Sequence, residues 1–281
     1  MKLINPNYAK ILFWICIGAS QTTNELNVKN LIVFPEEFIL SNIHPTKFSW
    51  SKIYGFLLLD ENRDEIIHTS QFRGKTLFKN HSFQNRKYKN LIWVGNSSEG
   101  IKLVDKIDND VITFDYQFNH VNSISLVPKI YPELVAIGPW GKMFIYSKTY
   151  NGIFIYENLS LIENPFIDFS RDGINIHCLN DIESSFGGKL ALLTCEGLLY
   201  EYERNGKLIN LYDLNISNAK FIVSLKNDWL VFDDLGYGLA IRSGDIYRLN
   251  ISNEKILDIV VTEDAIAALL KDKIITFNVK F

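Results

Sequence analysis

The fold class of this chain is clearest in the stretch Lys189-Leu-Ala-Leu-Leu-Thr-Cys-Glu-Gly-Leu-Leu-Tyr-Glu-Tyr202. It contains an apolar run, a polar turn with a glycine, and a second run rich in aromatic residues. Short apolar or alternating runs that are bounded by Asn, Asp, Gly and Lys are typical of strands joined by tight turns. Two further copies are Leu134-Val-Ala-Ile-Gly-Pro-Trp-Gly-Lys-Met-Phe-Ile-Tyr146 and Ala265-Ile-Ala-Ala-Leu-Leu-Lys-Asp-Lys-Ile-Ile-Thr-Phe277. The sequence therefore predicts an all-β protein.

The copies return about every forty residues. With looser copies included, they begin at Ile11, Tyr54, Leu91, Leu134, Leu190, Trp229 and Ala265. The intervals are 43, 37, 43, 56, 39 and 36 residues. Four short strands and their turns need roughly 40 residues, which is the length of one blade of a β-propeller. We predict a single β-propeller domain over residues 1–281, with seven blades and with six as the alternative.

Two details complete this prediction. The longest interval contains residues 158–188, which are polar and include a proline, so we expect a loop insertion on one face there. A propeller must also close into a ring. We expect Met1–Asn5 to supply the outer strand of the last blade, although the same residues could form the inner strand of the first blade.

Composition and charge narrow the function classes. Apolar residues make up 47% and aromatic residues 13% of the chain, which suits half-buried strands. With a net charge of -3 the chain has no overall basic field to attract nucleic acid, so a nucleic-acid partner is not predicted. The three cysteines, Cys16, Cys178 and Cys195, form no recognisable framework and are expected to be buried thiols. The apolar run from Ile11 to Ile17 is too short to span a membrane, but it could belong to a signal peptide.

Some copies resemble degenerate repeats of the RCC1-like propeller superfamily. The resemblance rests on Ile256-Leu-Asp-Ile-Val260 followed by Ala267-Ala-Leu-Leu270 and Lys273-Ile-Ile-Thr-Phe277, and on Phe48-Ser-Trp-Ser-Lys52 with Gly55-Phe-Leu-Leu-Leu59. It implies a propeller and, as one alternative, a regulator of a GTPase or of a chromatin-associated complex. The similarity to WD-like repeats is limited to repeat length, since no Trp-Asp dipeptide occurs.

No motif predicts an enzyme. The five histidines show no metal-ligand spacing, and no Gly-x-Ser-x-Gly elbow or phosphate loop is present. We therefore predict no catalytic residue, no cofactor and no metal. A hydrolase that uses carboxylates on the inner strands is the enzyme alternative, and it predicts two acids within reach of each other in a deep central pocket.

The residues predicted to contact a partner lie mainly between Gln71 and Lys89, where basic and aromatic side chains alternate with almost no acid. Basic side chains attract acidic partners, and aromatic ones can fill pockets in them. Trp140 is a further candidate because it lies between Pro139 and Gly141 in a predicted loop, and tryptophan often carries much of the binding energy at interfaces. The candidate residues are Arg73, Lys75, Lys79, Arg86, Lys87, Tyr88, Lys89 and Trp140.

These patterns favour a non-catalytic scaffold for protein–protein interactions, as a subunit of a larger complex. Its partner would be another protein or a peptide, with an acidic segment as one feature. We expect it in the cytoplasm or nucleus. A secreted or periplasmic binding propeller is the alternative that the N-terminal apolar run supports.

Overall fold

The computed structural model describes residues 23–279, except 54, 73, 74, 82–87, 172, 173, 175, 177, 215 and 217. The described chain begins with β1 (Thr23–Leu26) and β2 (Val28–Val33) and continues into α1 (Glu36–Leu40). Within these limits, the remaining strands form six small antiparallel sheets, blades I to VI, in chain order.

The blades are built as follows. Blade I holds β3 (Lys47–Ser51), β4 (Gly55–Asp60), β5 (Glu65–Phe72) and β6 (Lys75–His81). Blade II holds β7 (Leu91–Ser97), β8 (Gly100–Asp105), β9 (Asp110–Phe114) and β10 (His120–Ser125). Blade III holds β11 (Leu134–Ile137), β12 (Met143–Ser147), β13 (Gly152–Glu157), β14 (Ser160–Leu161) and β15 (Ile167–Asp168). Blade IV holds β16 (Leu179–Ser184), β17 (Leu190–Thr194), β18 (Leu198–Tyr202) and β19 (Leu208–Asp213). Blade V holds β20 (Ala219–Leu225), β21 (Asp228–Asp233), β22 (Tyr237–Ala240) and β23 (Ile246–Leu249). Blade VI holds β24 (Asp258–Val261), β25 (Ala265–Leu269) and β26 (Lys273–Asn278).

The blades are arranged in a closed ring. The first strand of each blade is innermost, and these strands contact one another in the order β3, β7, β11, β16, β20 and β24, with β24 in contact with β3 again. The all-β propeller prediction is confirmed. The prediction of seven blades is wrong, because the described residues close the ring with the six blades of the alternative. The seventh predicted copy, at Ile11, lies outside the described residues.

The predicted starts explain the uneven intervals. Those at Leu91 and Leu134 fall on or beside innermost strands, whereas those at Leu190, Trp229 and Ala265 fall on second strands. The 56-residue interval runs from Leu134, on an innermost strand, to Leu190, on a second strand. Residues 158–188, where an insertion was predicted, contain the outer strands β14 and β15 of blade III and the innermost strand β16 of blade IV.

The N-terminal strands close the ring. β2 pairs antiparallel with β26 and is the outer strand of blade VI, while β1 runs parallel to β23 at the edge of blade V. Closure by an N-terminal strand was predicted, but the strand that fills this position is Val28–Val33 and not Met1–Asn5, which lie outside the described residues. Its Leu31-Ile32-Val33 end provides the apolar residues that suit an outer strand.

The core lies between the blades. In the described chain, each of the six blade interfaces is filled by its own apolar cluster. Every residue of β17 and of β25 is buried, since these second strands are covered on both faces. The outer strand β19 instead alternates between exposed and half-buried residues. This difference explains why the repeats begin with an almost unbroken apolar run.

Two of the three cysteines are joined. Cys178 and Cys195 form a disulfide with a Cα–Cα distance of 5.5 Å, and both residues are exposed. The expectation of buried thiols is therefore wrong for this pair. The two positions become neighbours because the pairing of β16 with β17 brings the start of one strand to the end of the other. Cys16 lies outside the described residues.

Candidate functional site

The described members of the predicted basic segment lie in different surroundings. Lys75 and Lys79 are exposed on β6, whereas Phe78 between them turns inward and its ring centroid lies 5.2 Å from that of Phe38. Tyr88 is buried in the core between blades I and II, so its ring cannot meet a partner. Lys89 forms an ion pair with Asp108 on the connection to blade II.

The other members of the segment, Arg73, Arg86 and Lys87, lie outside the described residues. Partner binding by the segment remains a prediction. Phe78 turns inward next to the exposed Lys79 because successive residues of a strand point to opposite faces.

Trp140 lies at the tip of the turn between β11 and β12. Its side chain is 92% exposed, and its backbone is left-handed, with φ 60°. The turn is closed by a hydrogen bond of 2.7 Å from the Gly138 N–H to the Lys142 carbonyl. A left-handed backbone costs a non-glycine residue of order 1–2 kcal/mol. The fold thus holds a strained turn that presents an indole ring to solvent.

Phe186 occupies the equivalent turn of blade IV, between β16 and β17, and is 94% exposed. This turn is closed by a bond of 2.9 Å from the Ser185 N–H to the Lys189 carbonyl. The two turns lie next to each other, since a Cβ built on Gly188 would lie 3.6 Å from Pro139 Cγ. We call residues 138–142 and 185–189 the Trp140–Phe186 surface. Sequence reasoning missed Phe186, although a phenylalanine inside Ser-Ser-Phe-Gly-Gly is a recognisable signal.

A buried carboxylate supports one side of this surface. Glu201 on β18 has no exposed side-chain area, and it accepts hydrogen bonds from Arg242 at 2.8 Å and from the Trp229 indole N–H at 3.1 Å, both in blade V. Within blade IV it accepts a bond of 2.7 Å from Asn210 and lies 3.4 Å from Lys189 Nζ.

The pKa of Glu201 follows from these contacts. Burial alone would raise it, but the hydrogen bonds from Asn210, Trp229 and Arg242 and the charge of Lys189 outweigh burial and lower the pKa to about 2. Glu201 therefore joins blades IV and V beside the turn that carries Phe186. A cavity of about 260 Å³ lies between the two blades here, and its lining includes Phe186 and Arg242.

The central channel is lined by acidic side chains of the inner strands. Asp181 accepts hydrogen bonds from its neighbour Ile182 and, at 2.8 Å, from the Ile222 N–H of blade V. Asp258 likewise accepts hydrogen bonds from the Ile259 N–H and, at 3.0 Å, from the Phe48 N–H of blade I. Each carboxylate thus satisfies a main-chain donor of the following blade.

These contacts bear on the hydrolase alternative. Burial raises the pKa of Asp181 to about 7, and it raises the pKa of Asp258 despite the nearby charge of Lys47, whose Nζ is 4.0 Å from it. The hydrolase alternative requires carboxylates in the central channel, and the channel does contain them. However, both oxygen atoms of Asp181 and of Asp258 bind main-chain N–H groups, so these two carboxylates act as connectors between blades.

Two histidines meet where the sequence showed no metal-ligand spacing. His68 on β5 and His81 on β6 have Nδ1 and Nε2 2.7 Å apart, and the ring of Phe118 stacks on His81 with centroids 3.6 Å apart. Burial, and then the charges of His68 and Lys79, lower the pKa of His81 to about 4. In the described chain, no three His, Cys, Asp or Glu side chains are grouped so that they could hold a metal. No helix of the described part is long and apolar enough to cross a bilayer.

Comparison with known proteins identifies the fold. The sequence matches no family model and no curated protein. A virginiamycin B lyase from Staphylococcus aureus superposes with a TM-score of 0.60 at 12% identity, over 83% of this chain and 80% of that one. The structure of YCF48 bound to D1 peptide gives 0.58 at 11% identity, over 84% and 79%. BBS1N in complex with ARL6DN gives 0.56 at 8% identity, over 92% and 98%.

These identities are too low to carry function from one protein to another, and a propeller can serve many functions. Membership of the RCC1-like or WD-like superfamily remains a prediction, because no family model supports it. The chain has the β-propeller fold that these solved structures share, with six blades in its described residues.

Proposed function

We propose that this protein is a non-catalytic interaction scaffold, a subunit of a larger complex, which binds a segment of another protein through the Trp140–Phe186 surface. One observation carries the proposal: two large aromatic side chains are almost fully exposed on adjacent turns. Aromatic anchors of this kind often supply most of the binding energy of an interface. Exposed neighbouring apolar groups are otherwise disfavoured on a soluble surface.

The backbone at Trp140 supports the same interpretation. Glycine adopts a left-handed conformation at no steric cost, so the geometry of the turn does not by itself account for a tryptophan. Strained residues held by their surroundings cluster at functional sites. A tryptophan that is both strained and 92% exposed is better explained by a partner that covers it.

The structural neighbours are consistent with this function. YCF48 was solved bound to D1 peptide, and BBS1N was solved in complex with ARL6DN. A lyase has the same fold, so the fold alone does not decide between binding and catalysis. The absence of catalytic activity is part of the proposal, and it is supported by the structural use of Asp181 and Asp258 described above.

An acidic segment in the partner is proposed on separate grounds. Lys75 and Lys79 are exposed on the outer strand of blade I and form no ion pair among the described residues. Beside the aromatic residues, by contrast, Lys142 is paired with Glu157 at 3.4 Å and Lys189 lies 3.7 Å from Glu203. The Trp140–Phe186 surface would therefore contact apolar side chains, while an acidic segment would reach blade I.

The test begins with affinity purification of the full chain and identification of bound proteins by mass spectrometry. The dissociation constant of the purified partner is then measured for wild type and for the double variant Trp140→Ser, Phe186→Ser. Loss of an aromatic anchor typically costs about 2 kcal/mol, so we expect binding to weaken by about 30-fold or more.

The matched control is Leu40→Ser on α1, because Leu40 is 78% exposed and lies outside the Trp140–Phe186 surface. This variant should bind like the wild type. Wild-type affinity in the double variant would contradict the proposed surface. Charge reversal of Lys75 and Lys79 should weaken binding only of those partners that carry an acidic segment.

A secreted or periplasmic binding propeller is a second candidate, and the Cys178–Cys195 disulfide favours it over the intracellular location. Disulfides form and persist mainly in oxidising compartments. N-terminal sequencing of the protein from its natural source tests this candidate. A mature chain that begins near Gln21 would support it, and a chain that retains the apolar run in the cytoplasm or nucleus would support the intracellular prediction.

A further inference from the structure

The central channel contains a second site, distinct from the Trp140–Phe186 surface. In its half nearer the turns of Trp140 and Phe186, a cavity of about 210 Å³ lies between the inner strands. Its lining includes Ser49, Trp50, Trp93, Asn96 and Glu183. Two tryptophans, two neutral polar residues and a glutamate therefore line one small space.

The aromatic wall is made possible by a glycine. The indole ring of Trp93 lies over Gly95, where a Cβ would come within 2.0 Å of its Cη2 atom. Any other residue at this position would displace the ring. Trp50 from blade I adds a second indole to the same cavity. Faces of indole rings attract cations.

The carboxylate of Glu183 is the charged group of this cavity. Among the described residues Glu183 forms no ion pair, while Asp181 and Asp258 bind main-chain donors and Lys47 lies nearest to Asp258. Among the described residues, the acidic residues that line the channel include Glu61, Glu133, Asp181, Glu183 and Asp258, and Lys47 is basic. Burial, and then the charges of Asp181 and Asp258, raise the pKa of Glu183 well above its ordinary value. A bound cation would reverse this effect by stabilising the carboxylate.

Two further atoms point to a missing hydrogen-bond donor. Ser49 Oγ and Asn96 Oδ1 are buried and have no hydrogen-bond partner among the described residues. Unpartnered buried oxygen atoms are uncommon in native proteins and often mark the place of a ligand or ion. Both atoms belong to residues that line the cavity with Glu183. A ligand with several N–H donors would satisfy all three groups.

We propose that this cavity binds an alkylammonium or guanidinium group, held by Glu183, Ser49 and Asn96 and covered by the indole rings of Trp50 and Trp93. An organic cation fits better than a metal ion, because indole walls favour a cation with an apolar stem. Its source is either a free amine or a lysine or arginine side chain of a bound peptide. The proposal does not depend on the Trp140–Phe186 surface.

The test uses the purified full chain and its tryptophan fluorescence, with calorimetry as a second readout. Agmatine and n-butylamine are the free cations, n-butanol is the uncharged control, and the peptides Gly-Arg-Gly and Gly-Gln-Gly test a side chain as the source. We expect the cations to bind and the uncharged counterparts not to bind. Tighter binding of the arginine peptide than of agmatine would identify a peptide source, and the reverse would identify a free amine.

Three variants test whether cation binding depends on this cavity and not on the overall charge or folding of the protein. Glu183→Gln should weaken cation binding at least tenfold, because it removes the charge from the hydrogen bonds while conserving size. Trp93→Leu should weaken binding and reduce the fluorescence response. Glu163→Gln, at an exposed position between β14 and β15 of blade III, should bind like wild type. Melting temperatures of all variants confirm that they fold.

The pH dependence gives an independent readout. Agmatine should bind more tightly as pH rises, because Glu183 must lose its proton to pair with the cation, whereas the guanidinium group stays charged. Unchanged binding in Glu183→Gln, binding of n-butanol equal to that of n-butylamine, or no binding of any cation would overturn the proposal. Preferential binding of Ca²⁺ or Mg²⁺ would overturn the assignment to an organic cation.

Discussion

Replacing Glu201 by glutamine tests how blades IV and V are held together beside the Trp140–Phe186 surface. The substitution conserves the size of a side chain with no exposed area and removes its charge. It leaves the guanidinium group of Arg242 without its partner at 2.8 Å and places an amide close to the Trp229 indole N–H. The structure therefore predicts a loss of stability without a change of fold.

The magnitude follows from the pKa. The native pKa of Glu201 is about 2, against an ordinary value of 4.5. Each unit corresponds to about 1.4 kcal/mol, so the native interactions of the ionised carboxylate stabilise the folded state by about 3 kcal/mol at neutral pH. Removing one partner of a buried ion pair typically costs 3–5 kcal/mol. Arg242 is 43% exposed and can be hydrated after the substitution, which favours the lower end of that range.

The sign of the pH dependence is defined by the direction of the shift. A carboxylate with a depressed native pKa gives its full stabilisation above its unfolded pKa and loses it as pH falls through the native pKa. The difference between wild type and Glu201→Gln should thus be about 3 kcal/mol at pH 7 and shrink between about pH 4.5 and pH 2.

Urea unfolding of both proteins at several pH values measures this difference, with thermal unfolding as a check. A loss of about 3 kcal/mol in a domain of this size lowers the melting temperature by about 6–12 °C. The control is Glu133→Gln, since Glu133 forms a partly exposed pair with Lys106 and such pairs contribute about 0–1 kcal/mol. A difference below about 1 kcal/mol at pH 7, or one that does not change with pH, would refute the reasoning.

Three further predictions concern other parts of the ring. Gly95→Ala should destabilise the protein by about 1–3 kcal/mol in urea unfolding and change its tryptophan emission, because the new Cβ would overlap the ring of Trp93. A fully wild-type spectrum and stability would show that this ring is placed elsewhere. Stability should also fall as pH decreases from about 6.5 to 4, because His81 is neutral in the folded state, with a pKa of about 4, and takes up a proton on unfolding. His81→Asn should flatten this slope, and an unchanged slope would exclude His81 as its source. Finally, thiol titration of the denatured, unreduced protein should detect one thiol, because Cys178 and Cys195 are joined, and three after reduction; three thiols before reduction would contradict the disulfide.

The repeats could be found in the sequence because their cause is local. Second strands such as β17 and β25 are covered on both faces, so they read as unbroken apolar runs with turns beside them. The position of each run within its blade was less accessible. Innermost and second strands are both apolar, so single runs do not reveal their place in a blade, and the predicted starts changed from one strand to the other.

The candidate sites depend on contacts that are distant in sequence. Trp140 was predicted from its loop, and the structure confirms that its side chain is exposed. Glu201 looked like an ordinary polar residue of an alternating strand, and its role arises from Trp229 and Arg242, 28 and 41 residues further along the chain. The channel cavity around Glu183 is likewise lined by residues from several blades, which are distant from one another in sequence.

By itself, the sequence determined that the chain is all-β and folds as a propeller, because burial of each strand depends on its own pattern of apolar residues and turns. The tertiary structure was needed to show that six blades close the described ring, that Val28–Val33 complete the last blade, and that the turns carrying Trp140 and Phe186 lie next to each other. The physical reason is that ring closure and contacts between blades depend on the summed geometry of all blades, which no local stretch of sequence records.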